Sequence, residues 1–266
     1  MDKIGFIGVG NMGYPMFLGA IKAFGKERVT FTSATSKKSD WVKEQTGITC
    51  AINNSELVKE CKYVVLAVKP QYFNDIYKEL VGKITNEHIL ISLAAGISIE
   101  DMKHGFGADT RVVRSMPNTP ALVGEGMTCI SFSEDEFQDV EVSEIKEFFA
   151  SVGKYEIINE NLMNAAVCAN GSSPAFVYMF VEALADSVVK YGIPRDKAYT
   201  LVAQTVLGAT KMVLETGEHP GKLKDNVCSP GGTTIAGVAA LEEYGFRNAI
   251  IKAADACYEK ATSLKK

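Results

Sequence analysis

Across the first 158 residues, short apolar runs rich in β-branched side chains alternate with longer stretches of helix-like spacing. The runs at 4–8, 29–33, 63–68, 89–93, 111–115, 127–132 and 154–158 read as strands, and segments such as 12–24 and 71–81 are long enough for helices. Strand–helix alternation predicts βαβ units and a mostly parallel sheet. The run Tyr63-Val64-Val65-Leu66-Ala67-Val68 is apolar at every position, as a central parallel strand covered on both faces should be. From about Glu160 the pattern changes. Residues 162–190, 195–215 and 233–266 carry helical periodicity, broken at 192–194, 217–221 and 229–232 by Gly and Pro. The sequence therefore predicts an α/β domain over 1–159 and an all-helical domain over 160–266.

The helical half is apolar on more than one face. Met179, Phe180, Ala183, Leu184, Ala203, Val206, Leu207 and Ala209 would expose much apolar surface on a lone monomer, which favours burial against a second subunit over internal packing alone. Composition adds mainly exclusions. The net charge of −4 gives no electrostatic case for nucleic acid or an anionic membrane. No apolar run approaches the roughly 20 residues of a membrane span. The chain enters its first strand without a basic stretch and apolar core ahead of it, so a cytoplasmic protein is expected. Six scattered cysteines without a C-x-x-C, and only three histidines, predict free thiols and no metal site.

Candidate chemistry begins at Gly8-Val9-Gly10-Asn11-Met12-Gly13, a G-x-G-x-x-G between a predicted strand and helix. The first glycine permits a tight turn, the second lets backbone approach a pyrophosphate, and the third lets helix and strand pack closely. This context predicts a Rossmann-type dinucleotide-binding domain. After the second strand stands Thr32-Ser33-Ala34-Thr35-Ser36-Lys37-Lys38, with no carboxylate before Asp40. Hydroxyls and lysines suit the 2′-phosphate of NADPH, with NADH the alternative cofactor, and the same segment also reads as a polar N-cap for the next helix. Ala67-Val68-Lys69-Pro70 ends the third strand where ligands meet an open α/β sheet, and Pro70 can occupy the first position of the helix after it. Ser92-Leu93-Ala94-Ala95-Gly96 leaves room for a flat ring, and Met116-Pro117-Asn118-Thr119-Pro120 is a proline-bracketed loop or plain turn. Far along the chain, Ser229-Pro230-Gly231-Gly232-Thr233-Thr234 turns into a helix start. Its N–H groups and hydroxyls could cradle a carboxylate, or merely connect two helices.

With the glycine turn, the Ala67–Pro70 strand end, the Met116–Pro120 loop and the Ser229–Thr234 turn in this order, the chain resembles Δ1-pyrroline-5-carboxylate reductase over residues 3–262, the SPGGTT turn after Leu223-Lys224-Asp225-Asn226-Val227 being the most specific stretch. The resemblance implies reduction of 1-pyrroline-5-carboxylate to L-proline with NADPH or NADH. It implies a Rossmann domain and a helical domain forming an intertwined homodimer that assembles further, as in a decamer. Carried over by position, Gly8, Val9, Gly10, Asn11, Met12, Ser33, Thr35, Ser36, Lys37, Asn54, Ala67, Val68, Lys69 and Pro70 would contact the cofactor. Ala94, Ala95, Gly96 and Asn118 would border the nicotinamide. Ser229, Pro230, Gly231, Gly232, Thr233 and Thr234 would bind the substrate carboxylate, with the Thr234 hydroxyl the catalytic group beside the ring nitrogen. The family's usual Gly-Ser-Gly-Pro stands here as Gly171-Ser172-Ser173-Pro174, preceded by Asn170 where a small residue is common. That departure bears on the fine shape of the pocket rather than on the reaction. A protonated imine needs little activation for hydride transfer, which fits motifs containing neither histidine nor carboxylate and leaves water as the ultimate proton source. A keto- or hydroxy-acid reductase of similar architecture would place a motif lysine on its central helix, and Lys190 and Lys211 stand in no such motif. A non-enzymatic NADP sensor is the reading of another class.

Overall fold

The computed structural model describes residues 2–263. Packing divides the chain into two units. One runs to Gly171 and takes in the described residues from Cys257 onward; the other is Ser172–Ala256.

The first unit is built on a seven-stranded sheet of β1 (Ile4–Ile7), β2 (Val29–Thr32), β3 (Tyr63–Leu66), β4 (Ile89–Ser92), β5 (Arg111–Met116), β6 (Gly126–Phe132) and β7 (Gly153–Ile157), in the order β2-β1-β3-β4-β5-β6-β7. All seven predicted strands are present. Every pairing is parallel except β5 with β6, where Val113 faces Phe132. The helices are α1 (Gly13–Phe24), α2 (Ser36–Thr46), α3 (Asn54–Glu60), α4 (Phe73–Leu80), α5 (Ile99–Phe106), α6 (Asp139–Ala150) and the single turn α7 (Met163–Ala166). Local chemistry sets their starts. Thr35 caps α2, Asn53 caps α3, and Ser98 and Asp101 form a reciprocal capping box on α5.

Alternation along the strands sorts side chains into two cores. Ile4, Phe6, Tyr63, Val65, Ile89 and Ile91 join one layer with Phe17, Phe31 and Phe148, while Ile7, Val64, Leu66 and Leu90 join the other with Leu57, Phe73 and Leu80. Both faces of the central strands are therefore covered, which is why their sequence is apolar throughout. The chain crosses from one side of β1 to the other between β2 and β3. This switch leaves a crevice beyond the C-terminal ends of β1 and β3, where doubly wound sheets bind ligands.

Residues 160–171, predicted as the start of the helical domain, pack with the sheet. Met163 and Ala166 form a small core with Met116 and Cys129. The continuous helix expected over 162–190 is broken into a 3₁₀ turn (Glu160–Leu162), α7, a π turn (Val167–Gly171) and α8 (Ser173–Lys190). Two residues break it: the Asn170 side chain is bound to the distant Met116 and Met127 strand carbonyls, and Pro174 lacks an N–H to continue the ladder.

The second unit holds α8, α9 (Arg195–Thr216), α10 (Pro220–Val227), α11 (Thr233–Glu243) and the start of α12 (Phe246–Ser263). The helix expected over 233–266 breaks at Gly245, whose φ of 75° is left-handed, and its last three residues lie outside the described ones. Helix α10 was not predicted; the His219 ring caps it by accepting the Gly221 N–H. Helices α8 and α9 pack on each other through a small core of Ala185, Ala198 and Val202.

Candidate active site

The glycine turn closes β1 onto α1 as its spacing demands. Gly8 has a φ of 92° and donates its N–H to the Thr32 carbonyl, and Tyr14 N–H returns to the Gly10 carbonyl at 2.9 Å. A methyl group on Gly13 would lie 2.7 Å from the Gly8 oxygen and 2.8 Å from Ala67 Cβ, so only glycine lets helix and strand end approach this closely. At Gly10 a methyl group would meet nothing within 4 Å. That open space faces an α1 N-terminus that no side chain caps, and together they fit a pyrophosphate. Asn11 and Met12 complete the turn, and Val9 is buried in the core beneath it.

The loop after β2 holds the residues expected at the ribose. Thr35 serves the helix, accepting the Lys38 N–H, and Ser33 donates its hydroxyl to the Thr35 carbonyl. Ser36 and Lys37 open α2, with Lys37 exposed. Lys38 is held differently: its ammonium lies 3.8 Å from the centre of the Trp41 ring and 5.1 Å from that of Tyr14, the two rings being 4.7 Å apart. This cation–π stack fixes a positive charge beside the glycine turn. Asn54 opens α3 with its amide already engaged, accepting from the Thr32 hydroxyl and donating to Glu79 at 2.7 Å.

Further along the crevice, Ala67 N–H donates to the Ile7 carbonyl, and Lys69, exposed, precedes Pro70 at the first position of a 3₁₀ turn. Val68 packs toward the core of α4 and α5. Beyond β4, Ala94 is buried, Ala95 is exposed and Gly96 takes a φ of 81°. The Ser115 hydroxyl donates to the Ser92 carbonyl at 2.7 Å, joining the ends of β4 and β5.

Asn118 does more structural work than its loop suggested. It is 9% exposed; its Oδ1 accepts the Met127 N–H and its Nδ2 donates to the Asn170 carbonyl. In turn Asn170 Nδ2 donates to the Met116 and Met127 carbonyls at 2.7 and 3.0 Å. The sequence singled out Asn170 only as a departure, and its role rests on contacts from residues more than forty positions away, which no local pattern carries.

In the second unit, Ser229 to Gly232 form a β-turn closed by a 3.0 Å bond from Gly232 N–H to the Ser229 carbonyl. Pro230 sits at its second position, and Gly231, with φ of 70°, at the third. A methyl group at Gly232 would strike Ser229 Oγ. Thr233 and Thr234 form the first turn of α11, exposed, and no side chain caps that helix. The turn thus presents unpaired first-turn N–H groups and two hydroxyls, a donor set for a carboxylate.

An open, mostly parallel sheet with this glycine turn at its switch point, followed by a helical unit with an exposed Ser-Pro-Gly-Gly turn, defines a two-unit NADP-type oxidoreductase. Residues 3–96 match the family described as NADP oxidoreductase coenzyme F420-dependent, and residues 160–264 match the family described as pyrroline-5-carboxylate reductase dimerisation. Pyrroline-5-carboxylate reductase of Escherichia coli (strain K12) is 41% identical over 99% of this chain and 98% of its own, and that of Arabidopsis thaliana 38% identical over 98% and 95%. The solved structure of a Coxiella burnetii pyrroline-5-carboxylate reductase superposes with a TM-score of 0.91 at 32% identity, covering 100% of this chain and 99% of that one. That of the Plasmodium falciparum enzyme with NADP bound superposes with a TM-score of 0.89 at 31% identity, covering 100% and 98%. The chain belongs to the pyrroline-5-carboxylate reductase family. It is an oxidoreductase of proline biosynthesis that carries the family's dimerisation region.

Proposed function

We propose that the chain reduces the C=N bond of 1-pyrroline-5-carboxylate with NADPH preferred over NADH, using the residues named below. Gly8, Val9, Gly10, Asn11 and Met12 hold the pyrophosphate through backbone N–H groups and the α1 N-terminus. Ser33, Thr35, Ser36 and Lys37 receive the 2′-phosphate, and Asn54, Ala67, Val68, Lys69 and Pro70 line the remaining cofactor path. Ala94, Ala95, Gly96 and Asn118 form the wall for the nicotinamide, which supplies the hydride when the reduced cofactor is bound. Ser229, Pro230, Gly231, Gly232, Thr233 and Thr234 bind the substrate carboxylate. Thr234 is the catalytic residue: its hydroxyl orients the ring nitrogen, which carries its proton before the hydride adds to carbon. Residues 1–159 thus supply the cofactor half of the reaction and 160–266 the substrate half. The active form is a homodimer that assembles into a larger oligomer such as a decamer, working in the cytoplasm.

The observation that carries this reading is the Ser229–Gly232 turn opening an uncapped α11 with Thr233 and Thr234 exposed on its first turn. NADPH oxidation, followed by absorbance with 1-pyrroline-5-carboxylate and with keto acids as controls, tests it. Consumption only with the imine is expected. Thr234→Ala should lower kcat/KM for the imine by about ten- to a hundredfold, the scale of losing one hydrogen bond to a charged group. A variant as active as the parent would remove Thr234 from the mechanism, and consumption with a keto acid alone would replace the substrate.

A further inference from the structure

We propose that Asn170 is a positioning residue for hydride transfer, acting by tying the two ends of the 117–126 loop to the strand ends behind it. The proposal rests on the reading that Ala94, Ala95, Gly96 and Asn118 border the nicotinamide. Asn170 is 5% exposed and stands on the π turn Val167–Gly171, a helical irregularity of the kind that recurs at functional sites. Its single amide nitrogen donates to carbonyls on two strands, Met116 at the end of β5 and Met127 on β6. Its own carbonyl accepts Asn118 Nδ2, and Asn118 Oδ1 accepts the Met127 N–H. These four bonds close the neck of the loop.

The tie continues toward the ring-facing segment. Next to Met116, the Ser115 hydroxyl donates to the Ser92 carbonyl, and the Ser92 hydroxyl accepts the Ala94 N–H at 3.3 Å. Hydrogen bonds joined by short covalent stretches of β5 and β4 thus lead from Asn170 to the residues expected beside the nicotinamide.

The residue type is chosen for its donors. Only a primary amide of this length offers two N–H groups from one atom to two carbonyls; a hydroxyl offers one and a carboxylate none. The arrangement leaves Asn170 Oδ1 buried without a partner. A side chain present only to fill space would strand no oxygen, because a leucine would occupy the volume without that penalty.

Asn170→Leu keeps the branched outline at a somewhat larger volume and removes both donors; Asn170→Ser keeps one donor. Three readouts separate positioning from bulk structure: reduced-nicotinamide fluorescence of bound NADPH, affinity for adenosine 2′,5′-bisphosphate, which lacks the nicotinamide, and kcat with 1-pyrroline-5-carboxylate. For the leucine variant, kcat is expected to fall at least about tenfold, since misplacement of a reacting group by a fraction of an ångström has effects of that size. Nicotinamide emission should shift, while affinity for the bisphosphate stays within about twofold and serine recovers part of both losses. Parental kcat and emission in the leucine variant would overturn the proposal, whatever its melting temperature. An equal loss of bisphosphate affinity would also overturn it, because the effect would then be general collapse. Where the leucine variant does not fold, the serine variant carries the same comparison. A parent enzyme inactive on the imine would refute the substrate reading, yet nicotinamide emission would still decide the role of Asn170.

Discussion

At the scale of single residues, the glycine turn separates two kinds of cost. A methyl group on Gly13 runs into the Gly8 carbonyl and Ala67, whereas on Gly10 it meets nothing. Gly13→Ala should therefore destabilise the ligand-free protein by about 1–3 kcal/mol, the cost of overpacking a tight contact. Gly10→Ala should leave ligand-free stability unchanged or raise it by up to about 1 kcal/mol, because alanine narrows the unfolded ensemble. The Gly10 methyl instead fills the path of the pyrophosphate, so NADPH should bind at least about tenfold more weakly, a loss of 1.4 kcal/mol or more. Urea unfolding and NADPH titration of both variants check the pair; equal effects on stability would refute the division. The Lys38 stack makes a smaller claim. Trp41→Leu removes the ring nearest the ammonium, and an exposed cation–π contact is worth about 0.5–1 kcal/mol. KM for NADPH should rise about two- to fivefold with KM for NADH unmoved. The glycines were legible in the sequence because their reasons are local. The Tyr14–Lys38–Trp41 stack was not, because it depends on how the starts of α1 and α2 face each other.

At the scale of elements, the apolar runs were sufficient for the central strands, since burial on both faces forces a pattern that no solvent-facing segment shares; the edge strand β7, largely exposed, carries it least. The π turn at 167–171 and the Gly245 break escaped, because each is decided by one residue inside a helical period. The start of α6 shows what periodicity also hides. Glu141 is 1% exposed, accepts the Gln138 N–H at 2.9 Å, and pairs with Lys62 and Arg111 at 3.0 and 2.8 Å. Burial alone would push its carboxyl upward, but the Gln138 N–H, Lys62 and Arg111 outweigh it and hold the carboxyl below its ordinary range. A depressed carboxyl contributes stability in full above the unfolded value and loses it as pH falls through the folded one. The contribution is thus present at neutral pH and lost in acid. Glu141→Gln leaves Lys62 and Arg111 without their shared anion, and should cost about 3–5 kcal/mol at neutral pH. The gap in urea unfolding midpoint between parent and variant should narrow as pH falls from 7 to 3. A gap of constant size across that range would refute the linkage.

At the scale of the whole molecule, the helical unit lacks enough interior to account for its own side chains. Its core is Ala185, Ala198 and Val202, while Met179 and Leu214 are each 68% exposed and Tyr178, Leu201, Leu207 and Ile251 are exposed as well. Apolar exposure on this scale is what a permanent subunit interface covers, and the match of residues 160–264 to a dimerisation family gives the covering partner as a second copy. Among the described residues no helix is long and apolar enough to cross a membrane. If folding and assembly are linked in this way, stability must depend on protein concentration. Tenfold dilution should cost about 1.4 kcal/mol per dimer and lower the melting temperature measurably. The double variant M179E/L214E adds two carboxylates at positions already exposed in one subunit. It should scarcely disturb the fold of that subunit but should make burial against another prohibitively costly. Sedimentation should then show monomer where the parent is dimeric or larger, and the concentration dependence of melting should vanish with the dimer. A variant that sediments like the parent would place the interface on other helices.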